Sequence, residues 1–180
     1  MILPLKNGYL RQAVKSDAVT LAKWWADGSV MEHAGFPHGL KTDVPKLASR
    51  LETQKPEDVL WIIEDCHHLP IGEMAYKIND QTATIGIKIC ETMKQGQGIG
   101  KSALKSLIMF LFEHFDITKI WLDTMIENTR AQHVYSSLYF QKTKVNKDHW
   151  TDQLGQKRTS VEFELSRDTY TNHQTFFQNH

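Results

Sequence analysis

Gln95-Gly96-Gln97-Gly98-Ile99-Gly100-Lys101-Ser102 is the stretch on which the fold turns. It joins a run that alternates like a strand to one that repeats like a helix. Before it, Ala83, Ile85, Ile87 and Ile89 point one way and Thr82, Thr84, Gly86 and Lys88 the other, a period of two. After it, from Gly98 to His114, Leu104, Leu107, Ile108 and Leu111 fall on one helical stripe. Glycines without a Cβ let the backbone turn sharply and come close to a ligand. Amides at a helix N-terminus point at that ligand and favour negative charge. A phosphate or pyrophosphate suits such a loop; a plain glycine-rich connection is the alternative.

Spacing separates the phosphate-binding patterns. A Walker A loop ending at Gly100-Lys101-Ser102 needs its first glycine where Gln95 stands, and it opens a parallel unit, whereas this loop follows an antiparallel meander. A Rossmann G-x-G-x-x-G begun at Gly96 would end on Lys101. An NTPase reading therefore loses its support. The remaining pattern fits: Gln95-x-x-Gly98-x-Gly100 resembles the Q/R-x-x-G-x-G/A signature of the GNAT superfamily of N-acetyltransferases. The context resembles it too. In that family a strand and a second helix follow, the helix beginning with Asn, carrying a Tyr and ending near Gly-Phe. Here Asn128-Thr129-Arg130-Ala131 leads to Tyr135 and then Leu138-Tyr139-Phe140, with Tyr139 standing where the family usually has Gly. The resemblance covers roughly Val59 to Leu165, and the run Thr84 to Ile89 is similar to the branch with ribosomal-protein and aminoglycoside acetyltransferases.

The rest of the chain supplies the frame. Gly8 to Ala13 reads as a strand, Ser16-Asp17 as the cap of a helix through Trp25, and Asp43 with Pro45 as the start of a second helix to about Leu51. Val59 to Ile63 is a continuous apolar run, Ile71 to Ile78 alternates, and Ile117 to Met125, Phe140 to Val145 and Thr159 to Leu165 are further strands. Asn128 caps a short helix with Ala131, Val134, Tyr135 and Leu138 on its apolar stripe. The order β-α-α-β-β-β-α-β-α-β-β predicts an α+β fold; the resemblance makes it the acyl-CoA N-acyltransferase fold, a mixed and mostly antiparallel sheet flanked by helices. The whole of 1–180 reads as a single domain, with 166–180 a polar tail, loosely ordered unless Phe176-Phe177 docks.

Twenty-one basic residues balance twenty-one acidic ones among 180, so no net field recruits nucleic acid or an anionic membrane. The most apolar run, Leu107 to Phe112, is far short of the ~20 residues a membrane span needs. Two cysteines make no disulfide framework and fit a reducing cytoplasm. Cys66-His67-His68 lacks a supporting ligand pair at a known spacing, so no metal is expected.

The resemblance implies an acetyl-CoA-dependent enzyme in which an amine attacks the thioester directly. A non-catalytic acetyl-CoA-binding regulatory module would share the same loop. A lysine-like amine has a pKa of ~10.4, so only about one molecule in a thousand is neutral at pH 7 and a proton must be removed. The developing oxyanion needs donors and the CoA thiolate must be helped to leave. By the resemblance, amides of Gln95, Gly96, Gln97, Gly98, Ile99, Gly100, Lys101 and Ser102 hold the CoA pyrophosphate. Ile87, Lys88 and Ile89 meet the acetyl carbonyl and pantetheine through a splayed strand's backbone. Asn128 bonds the cofactor arm and Tyr135 protonates the thiolate. Glu73 is the favoured base, with Asp123, Glu91 or a water chain as alternatives. Glu32 and His33, between the first two helices, are positioned for a cationic acceptor. The acceptor is a small-molecule or peptide amine, and a homodimer is the family's common assembly.

Overall fold

The computed structural model describes residues 1–178. Its strands are β1 (Ile2–Leu5), β2 (Gly8–Gln12), β3 (Asp58–Asp65), β4 (Pro70–Asn79), β5 (Thr82–Ile89), β6 (Lys119–Met125), β7 (Gln141–Thr151) and β8 (Lys157–Ser166). Its helices are α1 (Ala18–Ala26), α2 (Gly28–Met31), α3 (Val44–Glu52), α4 (Ile99–His114), α5 (Thr129–Ser136), α6 (Arg167–Asn172) and α7 (Gln174–Gln178). The strands are hydrogen-bonded in the order β1-β2-β3-β4-β5-β6-β8-β7, the mixed, mostly antiparallel α+β architecture expected. The chain forms two compact units, one of residues 1–13, 55–121 and 164 onward, the other of 14–54 and 122–163.

The first unit is built on the antiparallel meander β1 to β5. Val59, Leu60, Trp61, Ile62 and Ile63 of β3 are all buried, which is why that run has no alternation: both faces of the strand are covered. β4 and β5 pair from Gly72↔Ile89 to Asn79↔Thr82. β6 joins β5 in parallel from Thr82↔Lys119 to Thr84↔Trp121. Helix α4 buries Ala103, Leu104, Leu107, Ile108 and Leu111, the stripe read from the sequence. β1 was not expected; Pro4, which disfavours an interior strand, is accommodated because β1 lies at the sheet's edge.

The segment after Leu165 differs from the loose tail expected. Ser166 caps α6 by accepting from Thr169 N at 3.1 Å. Tyr170 stacks on Phe112 with ring centroids 4.6 Å apart, and Phe177 is fully buried. Polar composition hid the two short helices and the Tyr170 anchor, while the docking open to Phe176-Phe177 is taken up by Phe177. Residues 179 and 180 of that tail lie outside the described residues.

The second unit holds α1, α2, α3, α5, β7, the end of β6 and most of β8. Asp43 caps α3 by accepting from Lys46 N at 3.0 Å, and Asn128 caps α5 by accepting from Ala131 N at 3.2 Å, both as the residue types predict. The turn between β7 and β8 reaches back through Gln153, which accepts from His38 N at 2.8 Å and donates to Gly39 O at 3.1 Å. Among the described residues no helix is long and apolar enough to cross a membrane.

Candidate active site

In the first unit, the glycine loop ends in a helix start that no side chain caps. Gly98 is the N-cap of α4 with φ +78°, a left-handed angle that L side chains disfavour, and a Cβ there would touch nothing within 4 Å. Backbone angle, not crowding, therefore selects glycine at this position. Ser102 N donates to Gly98 O at 3.0 Å, so the amides of Ile99, Gly100 and Lys101 precede the helix's own hydrogen-bond ladder. Gly100 differs: a Cβ would sit 3.5 Å from Ile89 and 3.7 Å from Ile87, ordinary contact that tolerates alanine.

Two contacts that the sequence did not reveal fix this loop. The Gln95 amide donates through Nε2 to Ile89 O at 3.0 Å, tying the loop to the end of β5. Lys94 Nζ lies 2.9 Å from Asp65 Oδ2, and Asp65 Oδ1 accepts from His67 N and Leu69 N at 2.9 and 3.1 Å. The Lys94 ammonium, helped by those amides, holds the Asp65 carboxyl down at about 2. Gln97 Nε2 donates to Met93 O at 2.9 Å. Gly96 is left-handed like Gly98, with φ +81°.

Ile87, Lys88 and Ile89 are half-buried and pair with β4, while the parallel ladder to β6 takes in Thr82, Ala83 and Thr84. Glu73 on β4 is opposite Lys88, whose Nζ lies 2.9 Å from its Oε1, and Glu73 is only 4% exposed. The Lys88 ammonium thus already engages one oxygen of the carboxylate that position favours as the base. Beside this pair, burial and the Glu73 charge push the Cys90 thiol far up, so it is no thiolate at neutral pH.

In the second unit, Tyr135 is 7% exposed, with Phe140 and Phe163 rings 6.1 and 5.6 Å from its own. Burial, and secondarily the Asp123 charge, raise its phenol to about 12. Asp123 itself is exposed, yet partial desolvation and Glu162 raise its carboxyl, with His149 opposing. Asn146 donates to Glu162 Oε1 and so orients that second carboxylate. The charge of Asp123 is thus felt at Tyr135, and those of Glu162 and His149 at Asp123, couplings that the sequence did not show. Glu32 and His33 stand on an exposed single turn of 3₁₀ helix, His33 Nε2 3.7 Å from Glu32 Oε1. Glu91 precedes the turn Thr92–Lys94. Among the described residues no group of three His, Cys, Asp or Glu is placed to hold a metal ion.

Comparison with known proteins gives these features a common frame. The acetyltransferase (GNAT) domain family matches residues 9–141. Comparison with curated proteins finds no match. Among solved structures, a spermidine N-acetyltransferase from Vibrio cholerae, in complex with CoA and spermine, is 18% identical with a TM-score of 0.80, over 91% of this chain and 97% of that one. RimL, a ribosomal-protein α-N-acetyltransferase in complex with coenzyme A, is 17% identical with a TM-score of 0.79, over 94% and 99%. A GNAT-family acetyltransferase from Bacillus anthracis is 13% identical with a TM-score of 0.78, over 93% and 99%. At these identities the structures speak for the fold, while the matched domain spans most of the chain and includes the glycine loop, Asn128 and Tyr135: the chain belongs to the GNAT family of acetyl-CoA-dependent N-acetyltransferases.

Proposed function

We propose that this protein transfers the acetyl group of acetyl-CoA to a cationic amine by direct attack. The observation that carries the reading is the uncapped start of α4 behind the left-handed Gly98, whose free amides suit the CoA pyrophosphate. Gln95 to Ser102 form that cradle, and backbone groups of Ile87, Lys88 and Ile89 serve the thioester arm, with Asn128 a further contact. The family match draws residues from both units, which supports reading 1–180 as one acetyltransferase domain.

The acceptor ammonium first gives up one proton to free its lone pair; the nitrogen then attacks the thioester carbon, the C–S bond breaks with its electron pair on sulfur, and the nitrogen loses a second proton, which the thiolate takes up. The raised Cys90 thiol favours this single displacement over an acyl-cysteine route. Glu73, the base favoured by position, is engaged by Lys88. Asp123 is the better acceptor of the proton: it is exposed, and its raised carboxyl is nearer in basicity to an amine. Asp123 and Glu162 together suit a positively charged acceptor, the class to which spermidine belongs; Glu32 and His33 are candidates for its far end. Tyr135 holds its proton up to about 12. A thiol has a pKa near 8.5, so complete transfer to the departing thiolate is uphill by about 5 kcal/mol. Tyr135 therefore acts by donating a hydrogen bond to the thiolate while the proton balance is met by the ammonium. The same reading places the protein in the cytoplasm, with a homodimer as its expected assembly.

The test is calorimetric titration with acetyl-CoA, then with ATP. Micromolar acetyl-CoA binding that disappears in a folded Gly98→Trp variant, followed by acetylation of a polyamine or peptide amine, supports the assignment. Folded protein that binds no acetyl-CoA removes it, and binding without turnover on any amine leaves the regulatory module.

A further inference from the structure

Within the second unit, the turn between β7 and β8 holds a fixed shape. Asp152 N donates to Gln156 O and Gly155 N to Asp152 O, both at 3.0 Å. The buried Asp152 carboxylate accepts from Leu154 N and Gln156 N at 2.9 Å and from Arg158 Nε at 2.7 Å. A side chain carried on such a turn has a defined origin, and Gln153 is carried there. Its backbone N donates to Gly35 O at 2.9 Å, its Oε1 accepts from His38 N at 2.8 Å, and its Nε2 donates to Gly39 O at 3.1 Å. One residue thus grips three points of the segment that follows Glu32 and His33. Gly35 and Gly39 have left-handed φ of +89° and +71°. A Cβ on Gly35 would lie 2.3 Å from the Trp150 ring, so the indole of β7 rests directly on that backbone. Gly35 N in turn donates to Glu32 O at 2.9 Å and Phe36 N to Met31 O at 3.0 Å, closing the turn that bears Glu32 and His33.

Glu32 and His33 are exposed, and the 3.7 Å contact between them does little to hold either side chain in high dielectric. A cation binds there well when the backbone beneath is fixed before it arrives, so that binding does not also have to order the turn. Resting on the acceptor assignment above, we propose that Gln153 is a positioning residue for the amine acceptor. It clips Gly35, His38 and Gly39 so that Glu32 and His33 meet the acceptor's far end. The side-chain amide suits this role because it carries a donor and an acceptor side by side, matching a backbone N–H and a backbone C=O at once. Gln153 and Trp150 both lie outside the residues 9–141 matched by the family, so acceptor preference is set in part by chain that the shared domain does not supply.

The experiment measures steady-state kinetics of the full-length protein with spermidine and with butylamine, which offers a primary amine without a far cation. Two peptides, with and without a lysine after the amino-terminal residue, give the same comparison for a peptide acceptor. Gln153→Met keeps the side chain's length and removes both of its hydrogen bonds. It should raise KM for the acceptor with the second cation about 10-fold. The kcat, the acetyl-CoA affinity and the kcat/KM for the acceptor lacking that cation should stay within about two-fold, which also certifies that the variant is folded. The Glu32→Gln/His33→Gln pair should raise the same KM. Adding Gln153→Met to that pair should change KM by less than about two-fold more, because a residue that acts through other groups loses its effect once they are gone. Three results for Gln153→Met overturn the positioning role while leaving the enzyme reading intact: an unchanged KM, equal weakening of both acceptors of a pair, or its full effect in the Glu32→Gln/His33→Gln background. A wild type that does not favour the second cation in either pair overturns it too. Turnover of none of the four amines overturns the enzyme reading itself, and this inference with it.

Discussion

Tyr139 has φ +65°, the left-handed region where a side chain crowds the following carbonyl. It is the position at which the sequence departs from the family's usual glycine, and the backbone has kept the glycine's angle. Comparing two truncations isolates that cost, because both remove the ring. Tyr139→Gly should be more stable than Tyr139→Ala by about 1 kcal/mol, or roughly 2–4 °C in melting temperature. The usual ranking at an ordinary backbone position is the reverse, so an alanine variant that melts as high as the glycine one removes the strain argument. Tyr135 poses the opposite case: its angle is ordinary and its chemistry unusual. Since its phenol stays protonated up to about 12, Tyr135→Phe should lower kcat by about 10- to 100-fold evenly from pH 6 to 9, with no new inflection. A loss that grows or fades across that range would mean that another group had been disturbed. Both residues were visible in the sequence as motif positions. The angle of one and the burial of the other were not, because each depends on packing around the end of α5.

At the scale of elements, the glycine loop was the most legible part of the molecule. A left-handed N-cap demands glycine, so Gly98 left a mark that spacing alone could recover. The strands were legible by period, β3 by its unbroken apolar run and β5 by its alternation. What holds the loop was not legible: Asp65 and Lys94 are an ordinary turn aspartate and an ordinary lysine, far apart in sequence, and only the fold brings them to 2.9 Å. This pair anchors the turn Thr92–Lys94 that leads directly into Gln95. Its pH dependence has a definite sign. Asp65 titrates lower when folded, so its stabilisation is complete above its ordinary value of 3.8 and is lost as pH falls towards about 2. Asp65→Asn should remove that acid transition. At neutral pH it should weaken acetyl-CoA binding several-fold and lower CoA-free melting only modestly, since the pair is partly solvated on the lysine side. Unchanged acetyl-CoA affinity in Asp65→Asn would show that the loop keeps its shape without the tether.

Across the whole molecule, the matched family stops at residue 141, yet the chain beyond it completes the first unit. Six residues of α6 and five of α7 are too few to show a helical period, so polar composition prevailed in the sequence reading. Arg167 shows what that segment contributes. Its guanidinium donates to Ile117 O at 2.8 Å, Phe112 O at 3.0 Å and Phe115 O at 2.8 Å. These carbonyls lie at and just past the C-terminus of α4, where the helix has no partners of its own for them and its dipole is negative. The helix thus has its amides open at one end and its carbonyls closed at the other by a residue from outside the matched domain. Arg167→Met leaves those carbonyls unpaired and should cost about 2–4 kcal/mol, lowering the melting temperature by roughly 5–15 °C. Arg167→Lys supplies a charge without the planar fork and should recover less than half of the loss. Acetyl-CoA affinity, measured well below the melting point, should stay within about two-fold, because the cofactor amides are at the opposite end of the helix and the macrodipole acts only over its terminal turns. A methionine variant that melts with wild type would show that the last turn of α4 is satisfied without Arg167. One that melts lower and also loses acetyl-CoA would show instead that both ends of α4 respond as one body.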